Sequence, residues 1–173
     1  EKNFRKFTGA KYALSVSSCT AGMHLYFFSI GLKKGDEVIV SSQSHVATAH
    51  AIELTGAKPI FIDSDPITGN IDLNKIEKKI TKKTKAIMLV HVLGNSCNMD
   101  EIMRIKKKYN LVLIEDTCES LGSKYKNKYL GTFGEFSTFS FVELLWYEHQ
   151  IVSLQSKSFC ACSSKGHVVS QRT

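Results

Sequence analysis

The sequence has no apolar stretch long enough to span a bilayer and no signal peptide. We therefore expect a cytoplasmic protein without a membrane partner. Arginines are few, although the formal net charge is +7. The lysines fall at predicted helix ends and on polar faces, without the aromatic or arginine neighbours of a nucleic-acid-binding patch. No nucleic-acid partner is expected.

The five cysteines form no disulfide framework. Cys19, Cys97 and Cys118 lie far apart in the sequence, and Cys160 and Cys162 form a C-x-C near its end. This spacing matches no standard set of zinc ligands. We predict free thiols in a reducing compartment and no metal site.

Strands and helices alternate along most of the chain, as in a parallel sheet with right-handed crossovers. The predicted strands are 12–16, 37–40, 58–63, 85–92 and 111–115, and the predicted helices are 20–32, 46–55, 72–80 and 99–109. An alternating aromatic segment, 133–141, predicts a further strand. A hydrophobic content of 43% in 173 residues suits one buried core. The sequence therefore predicts an α/β fold with a mostly parallel sheet.

The character of the sequence changes after Phe141. Residues 142–173 are rich in Ser, Cys, Lys and Gln and show neither periodicity nor capping residues. We predict one domain over 1–141 and a divergent tail over 142–173. The tail is either genuine, with disorder expected, or a frame-shifted reading of an incomplete gene. The first residue is Glu rather than Met, which also suggests a fragment.

The most informative segment is 111–116, in which four apolar residues precede Glu115 and Asp116. Such a run predicts a strand that is buried on both faces. Ligands of α/β sheets bind at the carboxyl ends of strands, where Asp116 is expected. A carboxylate there needs a cation or a hydrogen-bond donor. A protonated pyridine nitrogen, a metal, a lysine, a helix N-terminus or a simple capping role all remain open.

Two further segments follow predicted strands. Residues 17–20 place small side chains before a helix, where N–H groups and hydroxyls can bind an anion. His45 follows the next strand, where an imidazole can stack on a flat ring. A plain N-cap and a structurally satisfied histidine are the alternatives.

Taken in order, these segments resemble the DegT/StrS sugar aminotransferases, a family of fold type I enzymes that use pyridoxal phosphate. The matching runs are 18–21, 35–40, 55–63, 91–95, 114–116, 131–134 and 138–141. The resemblance implies the large domain of such an enzyme, with helices on both sides of a mostly parallel sheet (three layers, αβα). A plain nucleotide-binding α/β module would need a glycine-rich phosphate loop, which the sequence lacks.

The resemblance implies roles for individual residues. Asp116 would keep the pyridine nitrogen protonated, so that the ring acts as an electron sink. His45 would stack on the ring, and Glu119 takes the place near the ring hydroxyl where many relatives have Gln or His. The positions implied for the phosphate are Ser18, Cys19, Thr20 and Ser140.

The catalytic position departs from the family pattern. Relatives place the lysine that bonds to the cofactor five residues after the equivalent of Ser140. In this chain that position is Leu145, and no E-G-G follows. The segment 147–153 instead resembles the sugar 3-dehydratases, in which His replaces the lysine. His149 would be the base if four residues are inserted before it. A histidine transfers protons only, which favours elimination of the 3-hydroxyl.

The expected function is therefore transfer of an amino group, from a donor such as glutamate, to a nucleotide-linked keto-sugar. Such reactions serve polysaccharide and amino- or deoxy-sugar biosynthesis. A His-based 3-dehydratase and a catalytically incompetent fragment of either enzyme are the alternatives. The resemblance also implies a C-terminal small domain and a homodimer in the full-length protein.

Overall fold

The computed structural model describes residues 1–141, 150–154, 161–162 and 168–169. The helices are α1 Lys2–Thr8, α2 Cys19–Ser29, α3 Val46–Glu53, α4 Leu73–Lys79 and α5 Met99–Tyr109, and a 3₁₀ turn spans Val92–Gly94. The strands are β1 Tyr12–Val16, β2 Glu37–Ser41, β3 Lys58–Ile62, β4 Thr84–Val90, β5 Val112–Asp116, β6 Lys124–Tyr125, β7 Lys128–Tyr129, β8 Phe136–Ser140, β9 Gln150–Leu154, β10 Ala161–Cys162 and β11 Val168–Val169. None of the described helices is long and apolar enough to cross a bilayer.

Seven strands form one sheet in the order β1-β9-β8-β5-β4-β2-β3. The neighbours from β8 to β3 pair in parallel, whereas β9 is antiparallel to both β1 and β8. The strands β6 with β7 and β10 with β11 form separate two-stranded pairs. This confirms the predicted α/β class with a mostly parallel sheet.

Two apolar clusters cover the two faces of the sheet. On one face, α2 and α3 pack on alternate strand residues, among them Val38 and Val40. On the other face, α4 and α5 pack on the intervening residues, among them Ile39. Since alternate strand residues point to opposite faces, the central strands are buried on both sides and the layers are helix, sheet and helix.

Side-chain caps begin the helices α2, α4 and α5. Ser18 Oγ accepts from the backbone N–H of Ala21 at 3.1 Å at the start of α2. Asp72 and Asn98 cap α4 and α5 in the same manner. These caps satisfy N–H groups that have no partner inside the helix.

Strand β9 is part of the segment that the sequence predicts to be a divergent tail. Its residue Val152 is fully buried, and the Ser153 hydroxyl lies 2.7 Å from that of Ser137. Gln150–Leu154 thus belong to the sheet, although the buried Ser153 conceals the apolar alternation of this strand. The division into a domain over 1–141 and a tail over 142–173 stays a prediction. The rest of the predicted tail, 142–149, 155–160, 163–167 and 170–173, lies outside the described residues.

Gly22 allows α2 to approach β9 closely. A Cβ atom at this position would overlap Cγ1 of Val152. We predict that Gly22→Ala lowers the free energy of unfolding by about 1–3 kcal/mol, because the packed sheet must shift. Urea denaturation measures the change.

Val152→Ala supplies the matched test of this contact. The double variant Gly22→Ala/Val152→Ala should lose less stability than the sum of the two single variants, since the smaller side chain makes room. Strict additivity would show that α2 and β9 do not touch at this point.

Candidate active site

A cleft of about 720 Å³ opens at the carboxyl end of the parallel strands. It is lined by the start of α2, the start of α3, the ends of β5 and β8, and the turn after β5. A smaller cavity of about 310 Å³ adjoins it and shares His45, Leu93, Asp116, Cys118 and Glu119. This is the end of an α/β sheet at which ligands bind.

Asp116 ends β5 and lines this cleft with 8% of its surface exposed. Its carboxylate accepts hydrogen bonds from Thr48 Oγ1 at 3.0 Å, the Cys118 backbone N–H at 3.2 Å and Thr138 Oγ1 at 3.5 Å. These donors are all neutral. Among the described residues, none forms an ion pair with Asp116. A buried carboxylate in these surroundings fits a cationic N–H donor such as a protonated pyridine.

A short hydroxyl chain orients Asp116. Ser44 Oγ donates to Thr48 Oγ1 at 2.8 Å, and Thr48 Oγ1 donates in turn to Asp116 Oδ2. Thr48 is buried in the first turns of α3, so the start of this helix positions the carboxylate. From the sequence alone, His45 is the residue of this segment that is expected at the site. The available signal for this chain is the i, i+4 spacing of the hydroxyl residues Ser44 and Thr48 just after a predicted strand.

The residues predicted to bind phosphate separate into two groups. Cys19, Thr20 and Ser140 line the same cleft, although they come from α2 and β8. The Ser18 hydroxyl is instead the N-cap of α2 and does not line that cleft. An anion at this end would meet the start of α2, where N–H groups and the helix dipole favour negative charge. The phosphate role of these residues stays a prediction.

His45 is the N-cap of α3 and lines the cleft with an exposed ring. Its Nδ1 accepts from the backbone N–H of Ala47 at 3.2 Å, so a neutral ring carries its proton on Nε2. Stacking on a cofactor ring stays a prediction.

Glu119 lines the cleft and also holds part of its wall. Its Oε2 accepts from the backbone N–H of Leu93 at 3.1 Å. Leu93 has a left-handed backbone (φ 51°) and an 83% exposed side chain. A non-glycine residue keeps this conformation only when its surroundings enforce it. The sequence did not indicate that Glu119 supports this turn.

The neighbouring Glu115 is fully buried and serves a structural purpose. Its oxygens accept from the backbone N–H groups of Gly131 at 2.9 Å, Phe133 at 2.8 Å and Gly134 at 2.7 Å, and Oε2 lies 3.2 Å from Nε2 of His91. The Cys97 backbone N–H donates to Nδ1 of His91 at 3.3 Å, so a neutral His91 donates to Glu115 from Nε2. These bonds join the end of β4, strand β5 and the loop before β8.

His149, the predicted base, lies outside the described residues. Its role stays a prediction.

Replacing Glu115 by Gln exchanges one carboxylate oxygen, which accepts hydrogen bonds, for an N–H₂ group, which donates them. The surrounding groups are backbone N–H donors, so the N–H₂ group finds no acceptor there. We predict that Glu115→Gln lowers the free energy of unfolding by about 3 kcal/mol, because a buried donor then faces backbone donors. Thermal or urea unfolding measures this. Glu53→Gln, on the exposed end of α3, is the control and should change stability by less than about 0.5 kcal/mol. Equal effects in both variants would contradict the structural role of Glu115.

Comparison with known proteins agrees with this geometry. A model of the DegT/DnrJ/EryC1/StrS aminotransferase family matches residues 1–144. GDP-perosamine synthase of Escherichia coli O157:H7 is 49% identical over 82% of this chain and 39% of its own length. dTDP-3-amino-3,6-dideoxy-alpha-D-galactopyranose transaminase of Aneurinibacillus thermoaerophilus is 43% identical over 82% of this chain and 39% of its own length.

Solved structures agree with the fold. An aminotransferase from Psychrobacter cryohalolentis superposes with a TM-score of 0.86 at 32% identity, over 91% of this chain and 41% of that one. The E. coli GDP-4-keto-6-deoxy-D-mannose-3-dehydratase with bound hydrated PLP gives 0.85 at 36% identity, over 91% and 43%. The chain spans about two fifths of the length of these relatives. Because the family model and the curated relatives cover most of it, the chain belongs to the DegT/DnrJ/EryC1/StrS aminotransferase family.

Proposed function

We propose that this chain forms the cofactor-binding part of a pyridoxal-phosphate-dependent aminotransferase that acts on a nucleotide-linked keto-sugar. The observation that carries the proposal is Asp116, a buried carboxylate with neutral donors at the base of a cleft. A pyridine N–H⁺ provides the positive charge that suits such a group.

The residues around Asp116 fit the rest of the cofactor. Thr20 and Ser140 lie on the same cleft and offer hydroxyls, and the start of α2 offers N–H groups to a phosphate. His45 borders the space beside them. When bound, pyridoxal phosphate supplies an electron sink for bond cleavage next to the substrate nitrogen. Asp116 holds a proton at the ring nitrogen, and Thr48 keeps the carboxylate in place.

The substrate class rests on the named relatives. Two of them are named for amino sugars linked to GDP or dTDP, and a Bacillus subtilis relative, 42% identical, for spore coat polysaccharide biosynthesis. We propose a nucleotide-linked keto-sugar as acceptor and an amino acid such as glutamate as donor. The working form is proposed to be a homodimer of a longer protein, acting in polysaccharide or amino-sugar biosynthesis.

A sugar 3-dehydratase is the second candidate. The matched dehydratase structure is 36% identical, against 32% for the Psychrobacter aminotransferase. The sequence has no lysine between Lys128 and Lys157, and His149 falls in that interval. Gln150, the next residue, begins β9 opposite Ser140 at the cleft edge. In this enzyme His149 would move the proton, and the 3-hydroxyl would leave.

The first test concerns Asp116. We predict that Asp116→Asn weakens binding of pyridoxal phosphate by about tenfold or more, because an amide does not balance a charged ring nitrogen. Titration followed by the cofactor's absorbance measures the dissociation constant. Asp63→Asn, which removes an exposed surface ion pair with Lys75, is the control. This variant should bind pyridoxal phosphate with the affinity of the parent chain. Unchanged affinity in Asp116→Asn would refute the assigned cofactor orientation.

The second test separates the two reactions. If His149 replaces the lysine, borohydride should not fix pyridoxal phosphate covalently in the segment 142–156, since that segment has no lysine. Peptide mapping by mass spectrometry after reduction measures the attachment. In the full-length enzyme, the product should then be a 3-deoxy keto-sugar.

Release of an amino sugar by the full-length enzyme would instead support the aminotransferase. His149→Asn is the matched variant. It should abolish the deoxy product while the affinity for pyridoxal phosphate is retained. A variant that still makes the 3-deoxy sugar at the parental rate would remove His149 from the mechanism.

A further inference from the structure

Two cysteines from different elements meet at the base of the cleft. Cys19 is the first residue of α2, and Cys118 follows β5 by two residues. The Cys19 thiol donates to the Phe139 carbonyl at 3.4 Å, and Cys118 Sγ lies 3.6 Å from Thr138 Oγ1. Both sulfur atoms thus lie against consecutive residues of β8. The Cys118 thiol is also in hydrogen-bonding contact with Cys19.

These thiols differ from Cys97. Cys19 and Cys118 are partly exposed and both line the cleft. Cys97 is buried in an apolar cluster, with its sulfur 3.5 Å from the Val90 carbonyl oxygen. Burial raises the pKa of Cys97 to about 12. A small oxidant in the cleft therefore reaches the pair and not Cys97.

We propose that Cys19 and Cys118 form an oxidisable dithiol, which a hydroperoxide converts to a disulfide at the base of the cleft. The modification itself does not depend on the reaction catalysed. Its consequence for the cofactor rests on the function proposed above.

The chemistry proceeds in two balanced steps. Cys19 is the first residue of α2, where the free backbone N–H groups and the helix dipole favour a thiolate, so oxidation starts at Cys19. At Cys118, by contrast, the hydrogen bond with Cys19, burial and the charge of Asp116 raise the pKa of the thiol. The Cys19 sulfur takes one oxygen from the hydroperoxide, giving a sulfenic acid and an alcohol, or water if the oxidant is hydrogen peroxide. The Cys118 sulfur then displaces the sulfenic oxygen, which leaves as water with the thiol proton.

The disulfide would change the cleft. An S–S bond of about 2.05 Å is shorter than any hydrogen bond between thiols, so the two sulfur atoms must approach. Cys19 belongs to the first turn of α2, and Cys118 donates its backbone N–H to Asp116. Movement at either end displaces groups proposed to hold the phosphate or the ring nitrogen. Oxidation should therefore weaken binding of pyridoxal phosphate.

The first experiment maps the bond. The chain with Cys160→Ser and Cys162→Ser, which removes the two thiols near the end of the sequence, is treated with hydrogen peroxide and then alkylated and digested without reductant. We expect a Cys19–Cys118 linked peptide that disappears after dithiothreitol. The same treatment in urea should give mixed pairings that include Cys97. A native sample without the linked peptide, or with the same mixture as in urea, would overturn the proposal.

Single variants test the order of the two steps. In Cys118→Ser, dimedone should label Cys19 as a trapped sulfenic acid, because the second thiol is missing. In Cys19→Ser, Cys118 should stay largely unlabelled. Circular dichroism of both variants checks that they are folded. Preferential labelling of Cys118 in folded Cys19→Ser would contradict the proposed order.

The second experiment tests the link to the cleft. Pyridoxal phosphate is titrated into the reduced chain, the oxidised chain and the oxidised chain after dithiothreitol. The oxidised form should bind about tenfold more weakly, the effect of losing one charge-assisted hydrogen bond, and reduction should restore the affinity. Equal affinity in linked and reduced chains would refute the effect on the cleft. If the disulfide forms as expected on oxidation but the reduced chain binds no pyridoxal phosphate, the proposed function is refuted and the dithiol is not.

Discussion

The carboxyl end of β5 is the constraint on which the cleft depends. Two adjacent carboxylates there point to opposite faces of the sheet. Glu115 is buried and is satisfied by backbone N–H groups of the loop before β8 and by His91. A buried carboxylate is stable only when hydrogen-bond donors meet most of its lone pairs, and this loop supplies three of those donors. The loop is therefore held in one backbone arrangement. The fixed loop sets β8 beside β5, and Ser140 at the end of β8 then lies on the same cleft as Asp116.

Much of this arrangement follows from local sequence. Strand β1 and helix α5 occupy the predicted residues because turn and capping residues bound them clearly. The apolar run before Asp116 placed that carboxylate at a strand end, because a strand buried on both faces leaves little other choice. Strand β4, however, was predicted to reach residue 92 and ends at Val90. The next residue, His91, is held by Glu115 and Cys97, and no pattern within the strand reveals those distant contacts.

The remaining differences arise where polar residues are buried or have two possible uses. Strand β9 escaped prediction because Ser153 pairs with Ser137 in the interior, which breaks the expected alternation. Ser18 is expected at the phosphate, and its hydroxyl caps α2. A cap and an anion site need the same residue types at the same place, so the sequence alone does not separate the two uses. Thr48 was missed because its partner, Asp116, is distant in sequence. Local chemistry predicts that a donor is present but not which acceptor it meets.

The order of the strands also bears on the choice between the two proposed reactions. Ser140 ends β8 and pairs with Gln150, the first residue of β9, so both ends of the connection between them are fixed at the cleft edge. The sequence between these two ends, 141–149, includes His149, whose role stays a prediction. Under the proposed function, the sheet, the helix start and the buried carboxylates would serve amino transfer and dehydration equally well. The difference would then lie in whether this connection supplies an amine or an imidazole, and its sequence has His149 and no lysine.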